Sequence, residues 1–335
     1  MPLQSLKTEM LAIYPQKTEG TDMGRAFDGS RRFYEEHVRK MIHDLFPAYE
    51  NRIAVGIAGE GSDCFGYDDA ISRDHDYGTG VCLWITQEDF AKIGSPLSIA
   101  YNELLDRQGS IVLSERLRER RGVMTINGFY GSVLGAPCDA EACVLSDSDW
   151  LSFDKTCLAT AVNGEVFRDD LGVFSAFRNH LLAHYPERVW RMRIAEELHA
   201  YSASLQVNYA RCMARRDAVA AELCRLKGME AAMELFFLLK RKFPPYCKWT
   251  FHALRECEGA QRFSPLIEML AKMKSDAGAW KAWNYDPDRL NLNDATVLMA
   301  ERIAALILEM LRENGLTAGT DPYLERYVSE VLGDG

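Results

Sequence analysis

The chain changes character once along its length, and that change limits what it can fold into. Its strand-like apolar runs lie early: RIAVGIAG at 52–59, YGTGVCLWIT at 77–86 and the β-prone GVMTINGFYGSVLG at 122–135. NGEVFRDDLG at 163–172 is a last turn-bounded strand or loop, and beyond it apolar residues recur at helical spacing almost to the C-terminus. Strands gathered ahead of a long run of helices predict an α+β protein that ends in an all-α domain. We place the first domain at 1–165, with a helix over 28–46 leading into the first strand, and the helical domain at 166–335.

Punctuation residues set the remaining expectations. Gly94–Pro96 predicts a break in the helical stretch that follows the second strand, and SDSDWLSF offers Ser and Asp caps near the change of class. Pro186 suits the first turn of a helix, Pro244–Pro245 ends a long helical run, and PYCKWTFHALREC, RFSPLIEMLAKMKS and ATVLMAERIAALILEMLREN read as further helices. There is no internal repeat and no low-complexity linker.

With 47% hydrophobic and 26% charged residues the composition is globular, and a net charge of −10 argues against a broad phosphate-tracking surface. Extended nucleic acid is therefore not an expected partner, although a local basic groove is compatible with this balance. The N-terminus lacks a charged-then-apolar signal pattern and no run of 18 apolar residues occurs, so we expect no membrane and a cytoplasmic location. The nine cysteines include no C-x-x-C pair and fall mostly in apolar runs, which suits reduced, packed thiols better than zinc.

GEGSDCFGYDDAISRDHDYG at 59–78 is the most distinctive stretch, with five aspartates and one glutamate in a Gly-rich turn between two strands. A dinucleotide fingerprint would want glycine at 64, where there is cysteine; a P-loop would want Gly-Lys-Ser/Thr; an EF-hand would want other ligand offsets. What fits is Gly61-Ser62, eleven residues, then Asp74-His75-Asp76 running into the second strand. In an extended strand Asp74 and Asp76 share a face and can grip one or two Mg²⁺ ions together, leaving positions for phosphate oxygens. A glycine at 61 lets backbone N–H and the Ser62 hydroxyl approach those phosphates.

A strand ending in Gly-Ser, this spacer, and Asp-x-Asp on the next strand resemble the DNA polymerase β-like nucleotidyltransferase superfamily. The fuller acidic turn looks like one uncharacterised bacterial branch of it. The likeness continues through NGEVFRDDLGVFSAFRNHLLAHYP, LQVNYARCMARRD and FPPYCKW, covering roughly residues 30–260, and the last segments are similar to the helical domain of aminoglycoside nucleotidyltransferases. The resemblance implies that the first domain is a mixed sheet with flanking helices, that Asp74 and Asp76 hold the metal and are catalytic, and that Gly61 and Ser62 bind the terminal phosphates of a nucleoside triphosphate. It also gives Asp69 a better claim than Asp63 or Asp68, which suit turn and cap roles.

Other positions carry weaker signals. Arg73 suits either a phosphate contact or charge balance among the aspartates. Gln206, Tyr209 and Arg211 could share a helix face, as nucleotide contacts or as an exposed polar stripe. Lys248 enters a helix just after the paired prolines, where a bound anion would offset its unfavourable place near the positive helix end; we expect it to meet Ser62 on one triphosphate in a cleft between the domains. His180 and His184 have an i, i+4 spacing on an expected helix but no evident third ligand, so packing or capping is the better reading.

The reaction these expectations describe is Mg²⁺-dependent transfer of a nucleoside monophosphate from an NTP to an acceptor, most simply a small or basic molecule. The competing reading is a non-catalytic nucleotide-binding or interaction protein that kept the fold. A third carboxylate discriminates them. The strand expected to bear it, 122–128, has none, and Asp139 and Glu141 could reach the site only if PCDAEACVL formed a further strand. We expect neither to substitute fully, leaving proton removal to a helical-domain group or to the acceptor itself.

Overall fold

A computed structural model describes residues 25–67, 71, 79–107 and 120–333. The architecture is α+β, and the chain divides into two compact units, residues 1–133, 139–143 and 160–178 forming one and residues 134–138, 144–159 and 179–335 the other. The first unit extends to Arg178, taking in the strand that follows Asn163 and the aromatic residues that pack on the sheet.

The first unit opens with α1 (Arg25–Phe33), a π-helical turn (Tyr34–Val38) and α2 (Arg39–Leu45). After them come β1 (Ala54–Ile57), β2 (Cys82–Ile85), α3 (Gln87–Arg107) and β3 (Gly122–Thr125). The described sheet has the order β3-β2-β1-β4, where β4 is Glu165–Arg168. β1 is antiparallel to β2 and to β4, and β2 is parallel to β3. Every residue of β1 and β2 is buried, which is why both read as unbroken apolar runs.

Alternate residues serve two packing layers. Val55, Leu83 and Ile85 join Phe33, Val38 and Ile42 and the α3 stripe Ile93, Leu97, Tyr101 and Leu105 in one cluster. Trp84 is stacked on Phe174 at 3.8 Å between ring centroids, with Phe129 against its edge. The α3 stripe also explains why Gly94 and Pro96 do not break the helix, contrary to expectation. α3 runs through Pro96. An internal proline costs about 3 kcal/mol, whereas burying four large side chains is worth about 1.5–3 kcal/mol each.

The β-prone stretch 122–135 is likewise corrected. It is a strand only to Thr125, after which α4 occupies Ile126–Leu134. The Thr125 hydroxyl accepts from the Gly128 N–H at 2.9 Å, and Ile126, Phe129, Tyr130 and Leu134 form a buried stripe at helical spacing. The 138–146 segment is not a strand.

At the outer side of the sheet, β4 carries charge at both ends. Glu165 is ion-paired with Arg31, and Arg168 contacts Glu50 (3.0 Å), Asn51 (2.8 Å) and Asp170 (2.6 Å).

The second unit is helical. It includes α5 (Asp147–Ser152), begun by a Ser146/Asp149 capping box, and the longer α8 (Glu187–Tyr201), which follows Pro186, and α10 (Ala218–Leu239). Between α5 and α8 in the chain lie α6 (Lys155–Val162) and α7 (Val173–Leu182), whose residues 160–162 and 173–178 belong to the first unit. A π-helical segment (Ser202–Asn208) joins α8 to α9 (Tyr209–Ala214). α11 (Cys247–Glu256) follows the paired prolines, then α12 (Ala260–Lys272) and α13 (Ala295–Glu313). Among the described residues no helix is long and apolar enough to cross a membrane.

Candidate functional site

The glycine-rich turn begins where β1 ends. Gly59 and Gly61 both have positive φ, at 103° and 125°, conformations that side-chain-bearing residues rarely adopt. A Cβ on Gly61 would run into the Asp63 carboxylate. Ser62 then starts a 3₁₀ turn (Asp63–Phe65) closed by Gly66 in the left-handed region. The Ser62 carbonyl accepts from the Phe65 N–H at 3.1 Å and the Tyr67 N–H at 2.9 Å.

Three side chains remote in sequence fix this turn. Arg121, at the entry to β3, is buried and donates from Nη2 to Asp63 Oδ2 at 2.8 Å and to Cys64 Sγ at 3.2 Å. Burial pushes the Cys64 and Cys82 thiols up, and the guanidinium's ion-pair partner is Asp63. Asn163 bonds Gly59 twice, its Oδ1 accepting from the N–H and its Nδ2 donating to the carbonyl, each at 2.8 Å. Arg178 in turn donates to the carbonyls of Val162 (2.7 Å), Asn163 (3.4 Å) and Gly164 (3.2 Å), holding the turn that presents Asn163. None of these was singled out from sequence. Asn163-Gly164 reads as an ordinary turn dipeptide and Arg120-Arg121 as a surface basic run; their partners are visible only in three dimensions.

A cavity of about 830 Å³ adjoins the turn. Gly59, Glu60 and Arg120 lie on its wall, together with Met124 and Thr125 of β3 and Phe129 of α4. Arg120 and Glu60 form an ion pair at 2.9 Å.

Of the residues expected at the site, Gly61 and Ser62 are placed in this turn, while Asp68, Asp69, Arg73, Asp74 and Asp76 lie outside the described residues. Glu141 caps α3, accepting from the Gln87 N–H at 2.8 Å, and Asp139 accepts from the Ala142 N–H at 3.1 Å. Both are thus tied to the loop near the C-terminal end of β2, whereas the turn adjoins its N-terminal end.

The expected helical-unit residues separate. Tyr209 is a core residue, completely buried, with its hydroxyl 3.3 Å from Asp294 Oδ2. The π-helical segment shifts the register, so Gln206 does not share a face with it; Gln206 instead ties down Glu301, Pro322 and Leu324. Arg211 donates to the Tyr285 hydroxyl at 2.9 Å. Lys248 is in the first turn of α11 with its amine 5.1 Å from the Trp249 ring, so its place at a helix start is as expected. His184 lies beyond the end of α7, stacked on Phe243 at 4.6 Å, and burial pulls its imidazole down to about 4; it is a packing residue, not the helical partner of His180. Among the described residues no group of three or more His, Cys, Asp and Glu side chains could hold a metal.

A family model described as "Domain of unknown function (DUF4037)" matches residues 150–250 of the chain. The matched segment includes Asn163, Arg178 and Lys248 but not the glycine-rich turn. No curated protein and no solved structure matches the chain.

Proposed function

We propose that the chain is an Mg²⁺-dependent nucleotidyltransferase that moves a nucleoside monophosphate from an NTP to a small-molecule acceptor. One observation carries the reading: the Gly61-Ser62 turn leaves β1 beside the start of β2, the strand that Asp74 and Asp76 precede in the sequence. The cavity of about 830 Å³ beside the turn is large enough for a nucleotide.

The two described carboxylates of the turn do not fit a metal. Asp63 is buried against Arg121, and Glu60 is paired with Arg120. By the resemblance, Asp74 and Asp76 would hold Mg²⁺, which when bound would neutralise phosphate charge. The protein's own groups position the substrate. Gly59 and Gly61 keep the backbone open to phosphate oxygens, the Ser62 hydroxyl adds a donor, and Asn163 and Arg121 stop the turn from moving. In the reaction the acceptor oxygen bonds to the α-phosphorus as the bond to the bridging oxygen breaks; pyrophosphate leaves, and the acceptor's proton passes to a base or to water.

A second reading, nucleotide binding without transfer, is favoured by the carboxylate inventory. β3 bears no acid, and Glu141 and Asp139 are engaged in capping contacts.

Calorimetry with each NTP, with and without Mg²⁺, tests the binding site, and pyrophosphate release across acceptor pools separates the two readings. Asp74→Asn and Asp76→Asn should abolish Mg²⁺-dependent binding in a folded protein, and Lys248→Met should weaken it by about 1–3 kcal/mol, the size of a lost charge-assisted hydrogen bond. Unchanged Mg²⁺–NTP binding in both folded aspartate variants would overturn the assignment.

A further inference from the structure

The helical unit contains its own cavity, of about 600 Å³, walled by the π-helical segment, the loop around Trp283–Asn291 and the start of α13. A π-helical segment is rare and locally costly, and here it sets Gln206 into the cavity wall. Gln206 is fully used there. Its Nε2 donates to Glu301 Oε1 at 3.1 Å and to the Pro322 carbonyl at 2.9 Å, and its Oε1 accepts from the Leu324 N–H at 3.0 Å.

What remains in the wall is an excess of hydrogen-bond acceptors. Asn291 is 2% exposed, and its Nδ2 donates to the Ala279 carbonyl at 2.9 Å, which fixes the amide's orientation. Its buried Oδ1 consequently has no hydrogen-bond partner among the described residues. A buried acceptor in that condition costs free energy until a donor reaches it. Glu301 spends one carboxylate oxygen on Gln206; burial and the nearby Asp321 raise its pKa, the signature of an anion short of positive partners.

The cations of the wall are engaged within it. Arg326 pairs with Asp321 at 3.1 Å, Arg211 donates to Tyr285, and Arg289 lies over the Trp283 ring at 5.0 Å. Aromatic surface completes the cavity: Tyr285 and Tyr323 line it and are 42% and 36% exposed. Unmet acceptors beside open aromatic faces are complementary to a ligand that is positively charged and carries N–H donors.

We propose that this cavity binds a small aliphatic amine, with one ammonium group reaching Glu301 and the carbon chain lying over Tyr285 and Tyr323. A quaternary ammonium ion would satisfy the aromatic faces but would donate no hydrogen bond to Glu301. An anion would meet Glu301. The site stands independently of the transfer reaction proposed above.

The test is calorimetric titration of the full chain with 1,4-diaminobutane at about 0.15 M salt, where diffuse attraction to an acidic protein is screened. 1,4-Butanediol serves as the uncharged analogue of the same length. We expect saturable one-site binding of the diamine and none of the diol. Glu301→Gln should weaken binding at least tenfold. Tyr285→Leu, at an exposed position that folding tolerates, should weaken it at least threefold. Glu258→Gln, which removes the same charge at an exposed site not lining the cavity, should change it less than twofold. Equal binding of the diol, absence of saturable diamine binding, an equal loss in Glu258→Gln and Glu301→Gln, or unaltered binding in Tyr285→Leu would each overturn the proposal. Should Glu301→Gln fail to fold, Tyr285→Leu and the diol still decide it.

Discussion

Asn163 does for Gly59 what a neighbouring strand's backbone would do. In the antiparallel register that pairs Ile57 with Glu165, residue 163 stands opposite residue 59, and its side chain bonds both the Gly59 N–H and carbonyl at 2.8 Å. The ladder is continued by an amide side chain at the point where the chain leaves β1 for the glycine-rich turn. Asn163→Ala removes both bonds and leaves a buried glycine's peptide groups without them. We expect a loss of about 1–3 kcal/mol in urea unfolding, and weaker nucleotide binding in the protein that remains folded. Asn163→Asp, which keeps the acceptor but loses the donor, should fall between the two.

Gly164 and Gly172 form a matched pair for testing how closely β4 approaches β1. Both have positive φ, 72° and 76°. A Cβ on Gly164 would collide with the Ile57 carbonyl and come within 2.8 Å of Ala58 Cα, whereas one on Gly172 would meet nothing within 4 Å. Gly172→Ala should cost about 1–2 kcal/mol, the penalty of the left-handed conformation alone. Gly164→Ala should cost more than that by at least about 2 kcal/mol, because backbone atoms must shift. Parallel thermal melts measure the difference.

Arg121 and Asp63 should behave as a coupled buried pair. Arg121→Met strands a buried carboxylate and should destabilise the protein by about 3–5 kcal/mol. The double variant Arg121→Met/Asp63→Asn should be less destabilised than the sum of its singles, and a double-mutant cycle in urea reads the coupling directly. Additive losses would show that the pair is not what holds the turn.

Two buried groups of the helical unit set opposite pH dependences. Burial raises the Glu234 carboxyl from the ordinary 4.5 to about 7; Glu197 and Glu230 add to the rise and Lys155 opposes it. Between pH 4.5 and 7 the folded state therefore holds more proton than the unfolded state, and stability falls as pH rises through that window. Glu234→Gln should be near neutral at pH 4.5 and stabilising by about 1–3 kcal/mol at pH 8, as read from melting curves across pH. His184 acts in the reverse sense. Its imidazole, ordinarily near 6.5 and pulled down to about 4, contributes stability that is present above pH 6.5 and lost as pH falls toward 4.

The first two strands and their place along the chain were readable because burial on both faces makes β1 and β2 continuous apolar runs, and because glycine marks where β1 must turn. The helices of the second unit were readable from apolar period together with the prolines and caps that bound them. Failures had specific physical causes. Pro96 looked like a break because local propensity was read without the buried α3 stripe that overrides it. The segment 126–134 looked β-prone because Ile, Phe, Tyr and Val suit strands, although the Thr125 cap and the spacing of Ile126, Phe129, Tyr130 and Leu134 already carried the helical signal. Tyr209 looked like a surface contact because a π-helical segment, which no periodicity rule anticipates, turns it inward. The Arg121–Asp63 pair spans 58 residues, and nothing in a single sequence reports a pairing of that kind.

The last strand of the described sheet also bears on how copies of the protein treat one another. β4 is four residues long, and its terminal residues, Glu165 and Arg168, are held by ion pairs to Arg31, Glu50 and Asp170 of the same unit. A second molecule approaching this margin to extend the sheet would have to break those pairs for a very short ladder. The margin works as a hem: at high concentration the chains should repel seam-to-seam assembly on this side, and fibre growth through β4 should begin only once Arg31 or Arg168 has been neutralised.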